Sequence, residues 1–430
     1  MTKTKEPNLI DNIGEKKNPL HIVNFIFSLF VVCLPLVISF FHLLGAEFIN
    51  YDILLIIFVL LYICYLAVFF AKNFTNINFK KLLKNPTHII LLVFVLWIIL
   101  SSIITQSFGV CTLTYVSFFL IISSVATLPN KYKKILIDSF ISVIVICCIM
   151  GFIDRNNEFM PGFISYCYPF SLQFHNPNHI GYVVVLAELL TVGLYLVSSN
   201  IYKKIFYAVS FIILGFYIFL NGSFGPITAI FLGLVIWFVY LWIQQKRFPF
   251  EILFIIMIMC LISVLVDNIP FLRSARFAEY GYFTECVAVF DNVFGTSFAK
   301  DWLGITSVPG ADGWNRKNLW SQSLVYIGES FLFGKGVGFS NEFRPHNEFL
   351  YWSLDCGIIA GILYLALLVL LIIDYFKKKT KWKLISIISI ISYYFSALFG
   401  NVTTHSFIYL MVVVGVFLNT SEENKNVENT

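Results

Sequence analysis

The chain has 430 residues, of which 59% are hydrophobic and 12% charged, against roughly a quarter charged in an ordinary soluble domain. With a mean hydropathy of +0.83, this excludes a water-soluble fold and predicts a polytopic membrane protein. The net charge of +5 comes from 29 Lys and Arg against 24 Asp and Glu; these are dispersed between apolar runs rather than gathered on one face, so no nucleic-acid partner is implied.

In chain order, a polar segment 1–21 carrying Lys3, Lys5, Lys16 and Lys17 precedes the first apolar run, 22–41. No small-residue cleavage site follows that run, so it is read as an uncleaved span rather than a signal peptide. Further runs cover 53–70, 89–104, 113–128, 135–153, 180–197, 205–220, 227–243 and 252–266, then 349–373, 384–399 and 407–418. They lack the period-two alternation of a membrane barrel, and an open sheet in lipid leaves backbone groups unsatisfied, so twelve transmembrane helices are expected. Spans one to nine occupy 22–266 and spans ten to twelve 347–418, with a disordered tail at 419–430. Lys and Arg recur in every second connection: Lys72, Lys80, Lys81 and Lys84; Lys131, Lys133 and Lys134; Lys203 and Lys204; Lys246 and Arg247; then Lys377, Lys378, Lys379, Lys381 and Lys383. Positive charge stays on the cytoplasmic side, which places both termini and these loops there. The 9 Cys show no C-x-x-C spacing, and those inside apolar runs read as small hydrophobes rather than metal or disulfide partners.

Two connections on the outer side are long, 154–179 and 267–346. The second balances 7 Lys or Arg against 7 Asp or Glu between 273 and 344, so an anion site there requires local clustering. Leu319, Trp320, Leu324, Ile327 and Phe331 recur at helical spacing up to Gly334, which predicts a helix lying along the membrane surface. Around it stand Asn315-Arg316, Gly334-Lys335-Gly336-Val337-Gly338 and Arg344-Pro345-His346-Asn347. Three cations and an imidazole beside a lipid boundary suit a lipid-linked diphosphate, since Arg forks onto phosphate oxygens and neutral His can take a proton from an attacking hydroxyl. The plainer alternative makes these ordinary loop cations and Pro345-His346-Asn347 a helix cap. A nucleotide-binding loop is set aside because five residues separate Gly328 from Gly334 and Lys335 is followed by Gly336. Upstream, His175-Asn176-Pro177-Asn178-His179 offers amides and rings for sugar hydroxyls or phosphate, against a reading in which Asn178 caps a helix. His175 and His179 have the spacing of two metal ligands, but Pro177 intervenes and no Glu follows, so no metal site is expected. Within the spans, Glu188 near the middle of span six and Asp355 below His346 are functional candidates, while Asp138 is expected to snorkel to the interface.

These pieces together resemble the O-antigen ligase and polysaccharide polymerase family of bacterial membrane glycosyltransferases. The matching residues are Asn176-Pro177-Asn178 before a span, Arg316-x-x-Leu319-Trp320, Gly334-Lys335-Gly336-Val337-Gly338, and His346-Asn347-x-x-Leu350 leading to Gly357-x-x-x-Gly361. The resemblance implies an all-α membrane fold of the lipid-linked-sugar transferase type with a large extracytoplasmic loop between helices 9 and 10. It implies metal-independent, cofactor-free, inverting transfer of a glycan from polyprenyl diphosphate to an acceptor hydroxyl at the outer face of the bacterial cytoplasmic membrane. Where members of the family often carry Ser-Arg-Gly, this chain has Ser223-Phe224-Gly225, so one expected cation is missing. Arg316 and His346 are the expected catalytic pair, with His346 the base and Asn347 fixing its ring; Arg344, Lys335, Asn176, Asn178 and His175 complete substrate binding. A polymerase acting on a lipid-linked glycan is the first expectation, working among membrane lipids and other polysaccharide assembly proteins. A ligase to another lipid, wall polymer or protein is the alternative within the family, and a lipid or sugar transporter coupled through Glu188 is the alternative outside it.

Overall fold

The computed structural model describes residues 19–43, 51–73, 86–153, 177–246, 248–268, 316–400 and 404–418. All regular structure among them is helical. In order these are α1 (Pro19–Leu43), α2 (Tyr51–Asn73), α3 (Pro86–Ile104), α4 (Val110–Ala126), α5 (Asn130–Ile153), α6 (Pro177–Val197), α7 (Ile201–Asn221), α8 (Phe224–Gln245), α9 (Phe250–Asn268), α10 (Arg316–Glu329), α11 (Phe339–Phe343), α12 (Glu348–Cys356), α13 (Ile358–Lys377), α14 (Lys381–Ala397) and α15 (Thr404–Leu418). Among the described residues, seven helices are long and apolar enough to cross a bilayer. The chain is a multi-pass helical membrane protein.

Burial follows a membrane pattern. The inner helices α6 and α15 are enclosed almost throughout, whereas Leu61, Leu96, Ile103, Phe254, Met257, Ile362 and Val369 on outer helices are exposed. In water such a surface would be untenable, and in lipid it costs nothing. Small residues set the closest approaches at the centre. A Cβ on Gly233 would lie 2.4 Å from Leu189, one on Gly193 2.7 Å from Ile385, and one on Gly415 3.0 Å from the Ile122 carbonyl. The buried serines Ser386, Ser389, Ser392 and Ser396 likewise keep α14 slim where α6 and α8 pack on it.

One predicted span is broken. The apolar run 349–373 continues without interruption in the sequence, yet the chain reverses at Gly357, with φ 83° and ψ 169°. A Cβ there would lie 1.8 Å from the Leu332 carbonyl oxygen, and the conformation itself belongs to glycine. The arm α12 therefore folds back along the start of α13, bringing Glu348 to Tyr364 and setting Ser353 and Phe349 against Gly361. Only Ile358–Lys377 is long enough to cross. Asp355 accordingly sits at the tip of this hairpin, and the expectation that it lies deeper in a span than His346 is corrected. Asp138, expected near the interface, is partly exposed and accepts from Lys203 at 2.9 Å and from the Tyr207 hydroxyl at 2.7 Å.

The helix ends sort into two sets. At one end, called the basic end, stand the starts of α5, α7 and α14 with their lysines. At the other, the turn after α3, the α7–α8 corner, the start of α6 and the end of α14 meet the α10–α12 segment, through contacts described below.

Candidate functional site

The predicted surface helix exists as α10, but it begins at Arg316 and ends at Glu329, ahead of Gly334. Ile327 packs on Leu350 and Leu354 of α12, flanked by Trp320 and Tyr326, while Leu324, Val325, Phe331 and Leu332 stay exposed. The helix thus shows one apolar strip to the protein and another to its surroundings.

Its first residue reaches inward. Arg316 is only 5% exposed, and its guanidinium lies 5.5 Å from the centre of the Phe399 ring, a cation–π arrangement. The same corner receives Asn347, whose amide donates to the Leu398 carbonyl at 3.2 Å. Arg316 and the His346-Asn347 pair therefore converge on the end of α14 from two separate segments.

His346 is held in an unusual backbone state. Both Arg344 and His346 are left-handed, with φ 53° and 51° on either side of Pro345; for non-glycine residues this costs about 1–3 kcal/mol each and concentrates at functional sites. The imidazole is half-buried, and burial together with the charges of Arg316 and Arg344 lowers its pKa to about 4. Two cations and a neutral imidazole is an arrangement that receives an anion.

Asn347 also serves the backbone. Its side-chain oxygen accepts from the Leu350 amide at 3.1 Å and so caps α12. Lys335 is drawn aside: it pairs with Glu329 at 2.5 Å and lies 5.5 Å from the Tyr326 ring. Arg344 is exposed, with Nε on the Asn341 carbonyl at 3.2 Å. Asn178 lies inside the first turn of α6, which opens one residue earlier at Pro177, so it is not the cap. That first turn nonetheless adjoins the site, since a Cβ on Gly181 would meet Pro226 at 2.6 Å and Ser223 at 3.4 Å, and one on Gly400 would meet the Tyr182 hydroxyl. His175, Asn176 and the expected extracytoplasmic loop up to Asn315 lie outside the described residues.

Three features escaped sequence reasoning. Asp355 gathers the glycine-rich turn: one carboxylate oxygen accepts from the Ser340 amide at 2.8 Å and the Ser340 hydroxyl at 2.6 Å, the other from the Gly338 amide at 2.9 Å and the Tyr115 hydroxyl at 3.1 Å. The turn is docked further on α3, with Val337 donating to Ser107 at 2.8 Å, Ser101 donating to the Phe333 carbonyl at 2.6 Å, and Trp97 donating to the Cys356 carbonyl at 2.9 Å. Glu348, fully enclosed, accepts from Tyr364 of α13 and from Tyr393 of α14 at 3.0 Å. Its burial outweighs these donors and raises its pKa to about 7. The glycine spacing 334, 336, 338 was the one available signal for the docked turn; Tyr115 reads in sequence only as one aromatic in an apolar run.

Among the described residues no three His, Cys, Asp or Glu side chains are grouped to hold a metal. Neither a protein-family model nor a curated protein sequence matches the chain.

Proposed function

We propose that the protein is a bacterial envelope glycosyltransferase that crosses the cytoplasmic membrane twelve times with both termini inside, and carries a large outer loop between its ninth and tenth spans. It moves a glycan from polyprenyl diphosphate to an acceptor hydroxyl at the outer face, with an acceptor sugar on a growing lipid-linked chain as first choice. The observation that carries the reading is the arginine pair, Arg316 and Arg344, beside a neutral His346, next to the exposed apolar strip of α10. An amphiphile whose diphosphate sits at the lipid edge matches that combination.

In the reaction the acceptor oxygen bonds to the anomeric carbon as the bond from that carbon to the diphosphate breaks. The hydroxyl proton passes to His346 and the diphosphate leaves with its electrons, its growing charge met by Arg316. With its pKa near 4, His346 is a weak base in the unoccupied site. Donor diphosphate opposes both arginine charges, which are two of the three causes of that depression, and so raises the basicity of the imidazole toward working pH. Chemistry is thereby tied to a bound donor.

Arg316→Lys keeps the charge but loses the planar fork, and His346→Ala removes the base, worth typically ~10²–10⁴-fold. In a deletion strain complemented with each variant, the protein should insert normally and long surface glycan should be lost. Full-length glycan from both variants would overturn the reading. Single repeat units in the deletion strain indicate a polymerase; long unattached lipid-linked chains indicate a ligase. One observation favours a transporter instead: Glu188 of α6 is fully enclosed, and neither carboxyl oxygen has a hydrogen-bond partner. Glu188-dependent movement of intact lipid-linked sugar across liposomes, with no glycan extension, would establish that reading.

A further inference from the structure

At the basic end, Lys133 and Lys383 are each only 2% exposed. Lys383 spends its ammonium on Asp374 and lies 4.8 Å from the Phe417 ring. Lys133 Nζ is enclosed and has no hydrogen-bond partner among the described residues, and it stands within electrostatic range of Lys383. Of these two buried ammonium groups, only Lys383 is paired with a carboxylate. The other nearby carboxylate, Asp138, is occupied by Lys203 and Tyr207, while Lys134 adds a further cation 6.0 Å from the Trp382 ring. An uncompensated buried charge is among the costliest features a fold can carry.

The backbone adds to the imbalance. Lys133 lies in the first turn of α5, its amide bonded to the Pro129 carbonyl at 3.1 Å, and Lys383 lies in the first turn of α14, its amide capped by Thr380. Two helix N-termini, the positive ends of their dipoles, thus meet beside the two lysines. A helix N-terminus alone attracts anions weakly; here a buried, unpartnered ammonium stands with it. Both helices start at the basic end of the bundle, and at the ends of membrane-spanning helices the abundant anions are the phosphates of lipid headgroups.

We propose that Lys133, with Lys383 and the N-termini of α5 and α14, forms a binding site for a phosphate group, supplied by an anionic membrane lipid or by free phosphate. The site is at the opposite end of the bundle from Arg316 and His346 and does not depend on the glycosyltransferase reading.

The test uses the full chain in nanodiscs of phosphatidylcholine alone, phosphatidylcholine with phosphatidylglycerol, and phosphatidylcholine with inorganic phosphate in the buffer, read by thermal unfolding and by native mass spectrometry of retained lipid. Wild type should be stabilised by phosphatidylglycerol if lipid is the source, or by inorganic phosphate in phosphatidylcholine if the free ion is. Lys133→Met should weaken that response about tenfold, the scale of one charge-assisted hydrogen bond, while remaining as stable as wild type in phosphatidylcholine alone. Lys131→Gln should respond as wild type. The proposal fails if neither additive stabilises wild type, or if Lys133→Met and Lys383→Met both respond as wild type. It also fails if a chain ending at Thr420 loses as much stability in phosphatidylcholine as the phosphate source adds, for then Glu422 and Glu423 of the tail fill the site.

Discussion

Asp355 is the strongest single point of leverage on the candidate site, because it holds the turn leading to His346 without touching His346 itself. Replacing it by Ala leaves four donors, the Gly338 and Ser340 amides and the Ser340 and Tyr115 hydroxyls, without their acceptor inside an enclosed space. A hydrogen bond to a charged group is worth about 1.5–3 kcal/mol and the four are not additive, so roughly 3 kcal/mol is the expected loss in local stability. At about 1.4 kcal/mol per tenfold, the turn should open about 10²-fold more often. Hydrogen exchange followed by mass spectrometry reads this directly in a peptide spanning 336–343, with a peptide from the middle of α13 as the unaffected reference. Asp355→Asn should behave almost as badly, because its amide nitrogen must face one of the same donors. Wild-type exchange in 336–343 for both variants would refute the argument that this carboxylate organises the turn.

Other outcomes follow from the same geometry. The folded-state pKa of His346 is lowered from 6.5 to about 4, so the unfolded chain binds the extra proton first and stability should rise with pH between about 4 and 6.5; Glu348 is raised from 4.5 to about 7, so its contribution should be lost as pH rises through that interval. The two slopes oppose each other, so His346→Gln should make unfolding midpoints fall more steeply from pH 4.5 to 6.5 and Glu348→Gln should make them rise; parallel profiles for the two variants would contradict the assignment. Gly357→Ala should disrupt the hairpin outright, since its Cβ would lie on the Leu332 carbonyl, and loss of assembled protein on a size-exclusion column is the readout. Cysteine labelling in intact cells should reach position 315 but not positions 81, 133 or 379; finding 315 and 379 on one side would remove the twelve-span topology.

Much of the architecture was legible because bilayer length and composition leave few choices: eleven of the twelve apolar runs fall largely on one helix each, α1 to α9, α14 and α15, and the remaining one is divided between α12 and α13. The hairpin at Gly357 was not legible, because hydropathy continues across 349–373 and carries no information about φ. What reverses the chain is a left-handed glycine pressed on a carbonyl from a neighbouring turn, and that neighbour is known only once the chain is folded. Arg316 and His346 stand out in the sequence as residue types, but their placement together depends on Phe399 and Leu398, which look like unremarkable apolar residues at the end of a span. Asn347 illustrates the opposite limit. An Asn ahead of a helix satisfies a backbone amide whenever it can, and the contact of its amide with the Leu398 carbonyl could not be read from the sequence.

The exposed strip of α10 has a practical meaning. Leu324 and Val325 are 62% and 61% exposed on a helix whose first residue is Arg316, and Phe331 and Leu332, in the turn that follows it, are 56% and 50% exposed. Exposed apolar side chains therefore continue from the spanning helices onto the helix that begins at Arg316. A solubilising agent that forms a short, uniform belt would leave this strip facing water, and α10 would gain by swinging toward whatever apolar surface remained. Purified samples can then be helical, monodisperse and inert at once, so the choice of detergent or lipid disc acts directly on the position of Arg316.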